Sequence, residues 1–153
     1  MKKLFVLMGL TLLIGSCVES KPMLYNWGSK SNSKNASEYE SLLYNNYHTQ
    51  SPESICALLC QYEYMVTHPG GQRGVVPPGI CAEYGYLLLS PDTQTAFISH
   101  ATKKQKEIIG TSGDYGMSFR EKGMKMLQKE MELYPESTVF IQPLIKKFSQ
   151  QQP

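Results

Sequence analysis

The sequence predicts an all-α domain. Three observations carry that reading. Apolar residues recur at intervals of three and four through most of the chain, no segment alternates apolar and polar with period two, and Ser, Pro and Gly mark the breaks between apolar stripes. The same marks divide the chain into a leader (residues 1–16), a polar stretch opening at Cys17 (17–35), a helical domain (36–149) and a short tail expected to be disordered (150–153).

The leader comes first. Lys2 and Lys3 precede an apolar run from Leu4 to Ile14, interrupted only by Gly9 and Thr11, and small Gly15 and Ser16 lead into Cys17. That is the layout of a secretory signal peptide, too short and wrongly flanked to span a bilayer. Ile14-Gly15-Ser16-Cys17 also fits the lipobox, in which the cysteine thiol takes a diacylglyceryl group and a peptidase then cuts before it, so bulky flanks are excluded. Cys17 is the expected lipidation site. With roughly 0.8 kcal/mol for each buried methylene, two or three acyl chains hold a protein on a membrane almost permanently. The expected address is the outer membrane, facing the periplasm or the cell surface.

Residues 18–35 are rich in Ser, Asn and Lys, with one apolar island at Met23 to Trp27, and read as a tether with a docking point. Its Tyr25 and Trp27 suit either a strap over an apolar groove or docking to a partner or to the lipid interface, where amphipathic aromatic rings are favoured. Ser37 and Glu40 make a capping box for a first helix with Tyr39, Leu42, Leu43 and Tyr47 on one face. Ser51, Pro52 and Glu53 start a second, striped by Ile55, Leu58, Leu59, Tyr62, Met65 and Val66, and His68-Pro69-Gly70-Gly71 stops it. Val76-Pro77-Pro78-Gly79 leads into a third helix through Ala82, Tyr84, Gly85 and Leu88. A glycine there, about 1 kcal/mol worse than Ala in a helix, implies close approach of a neighbouring helix. Residues 90–113, bounded by Ser90-Pro91 and Gly110 to Gly113 and carrying Lys103, Lys104 and Lys106, read as a peripheral insertion. A long helix from Tyr115 to Leu133 follows, with Phe119, Gly123, Met126 and Leu127 inward. After Tyr134-Pro135 a last helix carries Phe140, Ile141, Leu144, Ile145 and Phe148, with a bend expected at Pro143.

Charge and motifs exclude several functions. Without Lys2 and Lys3 the 15 basic residues fall to 13, equal to the 13 acidic residues, all of which lie beyond Cys17. A near-neutral chain with no basic stripe is not expected to bind nucleic acid. Cys56, Cys60 and Cys81 suit core packing, with one disulfide or a metal site as alternatives; His48, His68 and His100 keep no ligand spacing to them, so no metal or other cofactor is expected. There is no Gly-x-Ser-x-Gly elbow, zinc helix, P-loop or dinucleotide fingerprint. Gly110-Thr111-Ser112-Gly113 lacks the strand a nucleophile turn requires, and Glu130 and Glu132 diverge on a helix. The chain is not expected to be an enzyme.

Two resemblances add to this. Gly123, Leu127, Glu130 and Pro135 resemble the second helix of a tetratricopeptide repeat in spacing, with Glu130 where the repeat has a small residue, and Tyr84-Gly85 resembles the packing glycine of its first helix. More of the mature chain is similar to the uncharacterised lipoprotein family known as domain of unknown function 4810. Cys17, Leu24-Tyr25-Asn26-Trp27-Gly28, Val76-Pro77-Pro78-Gly79, Ala82-Glu83-Tyr84-Gly85-Tyr86-Leu87 and Glu132-Leu133-Tyr134-Pro135-Glu136-Ser137 carry that likeness, and the long 90–113 segment departs from it. The resemblance implies an envelope assembly that includes a lipoprotein similar to the curli secretion pore.

The expected function is therefore that of a membrane-anchored, non-catalytic scaffold or adaptor for envelope proteins. Tyr25, Trp27, Tyr84 and Tyr86 are the candidate partner contacts, and Gly85, Gly123 and Pro135 the structural positions. The alternative is a cell-wall enzyme, or an activator of an enzyme of peptidoglycan synthesis. A deep pocket with convergent polar groups would favour the alternative, and a shallow groove the adaptor.

Overall fold

The computed structural model describes residues 23–28, 37–110 and 115–150. The leader, Cys17, the rest of the 17–35 stretch, Thr111 to Gly113 of the candidate turn and residues 151–153 lie outside the described residues. Every regular element described is helical: α1 (Glu38–Thr49), α2 (Pro52–Thr67), α3 (Ile80–Leu89), α4 (Pro91–His100), α5 (Lys103–Ile109), α6 (Tyr115–Leu133), a 3-10 turn (Pro135–Ser137) and α7 (Thr138–Gln150). Only isolated bridging, between Gly70 and Val75, interrupts the loop from α2 to α3.

Local chemistry sets the boundaries. Ser37 Oγ accepts the Glu40 amide at 3.1 Å while Glu40 Oε2 accepts the Ser37 amide at 2.7 Å, closing the capping box of α1. Gln50, in the left-handed region at φ 48°, ends α1, and Ser51 caps α2 one residue later, so the two helices form a tight hairpin. A second capping box, Thr102 with Gln105, starts α5. Ser90 ends α3 and begins α4 with no linker between them.

The most extensive helix contact is α3 against α6. It is possible because glycines face each other there. A Cβ at Gly85 would lie 2.8 Å from the Gly123 carbonyl oxygen, and one at Gly123 would lie 3.0 Å from the Gly85 carbonyl oxygen. Pro135 opens the 3-10 turn that redirects the chain from α6 into α7. The main core runs between α2, α3, α4 and α6 around Leu59, Tyr62, Leu88, Phe97 and Phe119. A smaller cluster of Leu89, Leu127, Ile141 and Phe148 seats α7.

Four expectations are corrected. Residues 90–113 are not peripheral: α4 and α5 both pack on α2, Phe97 and Ile109 are buried in the main core, and the Phe97 and Phe119 rings lie 5.2 Å apart. On α1, Tyr47 points to solvent. Tyr39 and Asn46 face the neighbouring helix, Ser54 Oγ donating to Asn46 Oδ1 at 2.9 Å, and at 3.6 residues per turn Tyr47 lies about 80° round from Tyr39. On α7, Phe140 is exposed while Ile141 and Phe148 make the buried face. The same helix, with Pro143 inside it, includes Gln150, the first residue of the expected tail.

Candidate functional site

Met23 to Gly28 lie against the loop between α2 and α3 as a strap. Gln72 and Arg73 amides donate to the Met23 and Leu24 carbonyls, each at 3.0 Å. Asn26 Nδ2 donates to the His68 carbonyl at 2.9 Å, and Asn26 Oδ1 accepts the Gly28 amide at 3.0 Å. Arg73 Nη1 donates to Tyr25 Oη at 3.0 Å. Glycines on both sides allow this approach. Gly71 has φ +76°, and a Cβ on it would stand 2.6 Å from the Leu24 carbonyl oxygen and the Tyr25 backbone. Gly28 has φ +88° and abuts the Gln61 side-chain amide.

From the strap an aromatic ladder enters the domain. Tyr25 meets Trp27 edge-on at 6.4 Å, Trp27 stacks on Tyr39 at 6.0 Å, and Tyr39, Tyr62 and Tyr84 follow at 5.7 Å steps. Carboxylates brace its rungs reciprocally. Tyr39 and Tyr62 hydroxyls both donate to Glu83 Oε2 at 2.7 and 2.6 Å, and Tyr84 donates to Glu63 Oε2 at 2.7 Å. Lys122 Nζ pairs with the same Glu63 oxygen at 2.8 Å and sits 5.8 Å above the Tyr84 ring. Burial above all, then carboxylate contact, raises the pKa of all three phenols, so they remain protonated donors.

Of the candidate partner residues, the ladder joins Tyr25, Trp27 and Tyr84. Tyr84 is fully buried, which corrects its expected place on a partner face; the period of α3 marks it as inward but cannot separate core from groove. Tyr86 stands apart, half exposed and edge-on to Phe148 at 6.0 Å. Cys56, Cys60 and Cys81 are free thiols. Burial pushes the Cys60 and Cys81 thiols up to about 11, and Cys56 also upward, so none is a thiolate at neutral pH. Both histidines near the ends of α2 and α4 are exposed and already have neighbours: His68 stacks on Tyr64 at 4.7 Å and His100 Nδ1 is 3.2 Å from Glu53.

Sequence reasoning named Glu130 but missed its role. Its carboxylate is buried at the start of α3, Oε1 accepting the Gly79 amide at 2.7 Å and Oε2 the Ala82 amide at 3.3 Å. It thus satisfies amides that the helix leaves unpaired and ties α6 to α3. The departure from a small residue in the repeat spacing was the available signal. Burial, the largest influence, raises the carboxyl above its ordinary range, assisted by the Glu83 charge and opposed by the Gly79, Ala82 and Cys81 amides. A carboxyl with a raised folded pKa adds stability that is full below its unfolded pKa and lost as the pH rises through the folded one. Relative to Glu130→Gln, the native chain should therefore gain stability as the pH falls from neutrality into the carboxylate range. Urea unfolding across that range measures it; a pH-independent difference would contradict it.

Beside the strap, Met23, Tyr25, Asn26, Gly70, Gly71 and Gln72 line an open depression of about 500 Å³. Among the described residues no group of three or more His, Cys, Asp or Glu is placed to hold a metal ion, and no helix is long and apolar enough to cross a membrane. No family model, curated protein or solved structure matches the chain.

Proposed function

We propose that this chain is a lipid-anchored envelope lipoprotein of the outer membrane, acting as a non-catalytic adaptor that presents a helical surface to protein partners. The observation that carries this is the outer face of α1. Tyr44 and Tyr47, three residues apart and hence side by side, are 70% and 81% exposed, and His48 stacks on Tyr44 at 6.0 Å. Exposed tyrosines of this kind supply much of the energy of protein recognition. The ladder's Tyr39, Tyr62 and Tyr84 are by contrast buried inside the domain. The resemblance to a lipoprotein family of envelope assemblies makes a pore-like lipoprotein the first partner to test.

A photocrosslinking residue at Tyr47, in cells that make the protein, should capture that partner. Tyr44→Ala with Tyr47→Ala should abolish the complex and leave the helical circular dichroism unchanged. A complex that survives both substitutions would remove α1 from the interface. The anchor has its own test. Cys17→Ala should leave the precursor uncleaved and unlabelled by a palmitate analogue, and label on that variant would refute Cys17 as the acylated residue.

A further inference from the structure

We propose that the strap and the Gly70 to Arg73 loop form a membrane-contact face, seated on the lipid surface to which Cys17 is anchored. This rests on the reading of Cys17 as the acylated residue. The argument begins with length. Had residues 17–35 been a free tether, the first fixed point would be Ser37, and full extension would carry the domain about 70 Å from the anchor. The structure fixes the chain at Met23 instead, through the backbone bonds of Met23 and Leu24 to Gln72 and Arg73. Only Val18, Glu19, Ser20, Lys21 and Pro22 separate that point from Cys17, a reach of about 20 Å at most. A domain of this size is roughly 35 Å across. The anchor is therefore shorter than the domain is wide, and the strap side faces the bilayer.

The residues displayed there suit that place. Met23 is 59% and Leu24 54% exposed, two adjacent apolar side chains beside the open depression. Arg73 and Tyr25, bonded to each other next to them, are types favoured where apolar and charged layers meet. Among the described residues the Tyr25 hydroxyl is the one acceptor of the Arg73 side chain, which leaves guanidinium donors for lipid phosphate. Met23 and Leu24 would enter the headgroup boundary while Arg73 pairs with phosphate above them.

The test uses the acylated full chain carrying Leu24→Cys, reconstituted into vesicles of phosphatidylethanolamine and phosphatidylglycerol. Cys60, which is only partly buried, is replaced in the same chain (Cys60→Ser), and Cys56 and Cys81 are buried, so a polarity-sensitive fluorophore marks position 24 alone. Intact mass is measured first and reports acylation. The expected result is a blue-shifted emission protected from aqueous iodide, with protection reduced by Arg73→Glu. An acylated protein whose probe stays red-shifted and fully quenched by iodide overturns the membrane face and leaves the lipidation reading standing. A mass without acyl chains overturns both. Protection that appears only when other envelope proteins are added assigns the patch to a protein partner and likewise refutes lipid contact. Gly71→Val provides an independent check. With its Cβ driven into the Leu24 carbonyl it should release the strap, shift the emission of Trp27, the only tryptophan, to the red, and deprotect position 24, all without loss of helical signal. If position 24 stays protected after the strap is released, the docked strap is not what holds it at the membrane.

Discussion

Gly85→Leu is expected to destabilise the domain by about 3 kcal/mol, toward the upper end of what overpacking in a well-packed core produces. The magnitude follows from what surrounds the missing side chain. The first atom added would meet the Gly123 carbonyl oxygen at 2.8 Å and Leu127 Cγ and Cδ2 at 3.1 Å. Leu127 is fully buried and cannot move aside, and the carbonyl belongs to the backbone of α6. Relief therefore requires α3 and α6 to separate, which loosens the largest helix contact in the fold. Gly85→Ala separates two opposing effects. Alanine gains about 1 kcal/mol of helix propensity over glycine, and the steric cost should exceed it, leaving a smaller net loss. Gly123→Ala meets Leu89 Cγ at 2.7 Å and should behave similarly, but the double variant should fall short of the sum because one separation relieves both. Urea unfolding gives all four values. Unchanged midpoints for Gly85→Leu would mean that the helices do not cross there.

Close packing at Gly85 was legible in the sequence, because a helix-interior glycine needs a reason and a close neighbour is the commonest one; that Gly123 is that neighbour was not. The caps of α1 and α2 were legible for a similar reason: Ser37 with Glu40, and Ser51 with Pro52, act within four residues. What the sequence hid depends on long-range geometry. Tyr39 and Tyr47 share an approximate face, and only the position of α2 decides that Asn46 turns inward and Tyr47 outward. Tyr84 has the same composition-level signature as an exposed recognition tyrosine, and only its place between Tyr62 and Lys122 makes it interior. Of the candidate site, the Tyr25 and Trp27 island could be read as a docking point, but its landing place could not. Gly70 and Gly71 look like helix breakers in sequence, whereas Gly71 also admits the strap backbone.

Segment 90–113 is the instructive failure, and it carries the other large prediction. Turn residues at both ends and a lysine cluster inside resemble a tolerated surface insertion, since closure entropy grows only logarithmically with length. That argument weighs loop length and overlooks how few apolar residues a core needs. Phe97, fully buried, fills the space between α2 and α6 and meets Phe119; Ile109 is buried at the end of α5, where its carbonyl also accepts Lys122 Nζ at 3.2 Å. Lys106, counted as surface charge, folds back to donate to the Ile98 carbonyl at 3.1 Å. Phe97→Ala alone should cost about 3–5 kcal/mol, a cavity-forming loss comparable to the whole stability of many small domains. Replacing residues 92–112 by a short Gly-Ser linker removes Phe97 and Ile109 together and uncovers Phe119 and one side of α2. The expected result is loss of cooperative thermal unfolding, with much of the helical signal gone at room temperature. Ile98→Ala, at a half-exposed position on the same helix, should leave the melting temperature nearly unchanged and shows that the effect comes from the inward face. A linker-replaced chain that still melts cooperatively would mean that α3, α6 and α7 close a core of their own, and that α4 and α5 are added to it.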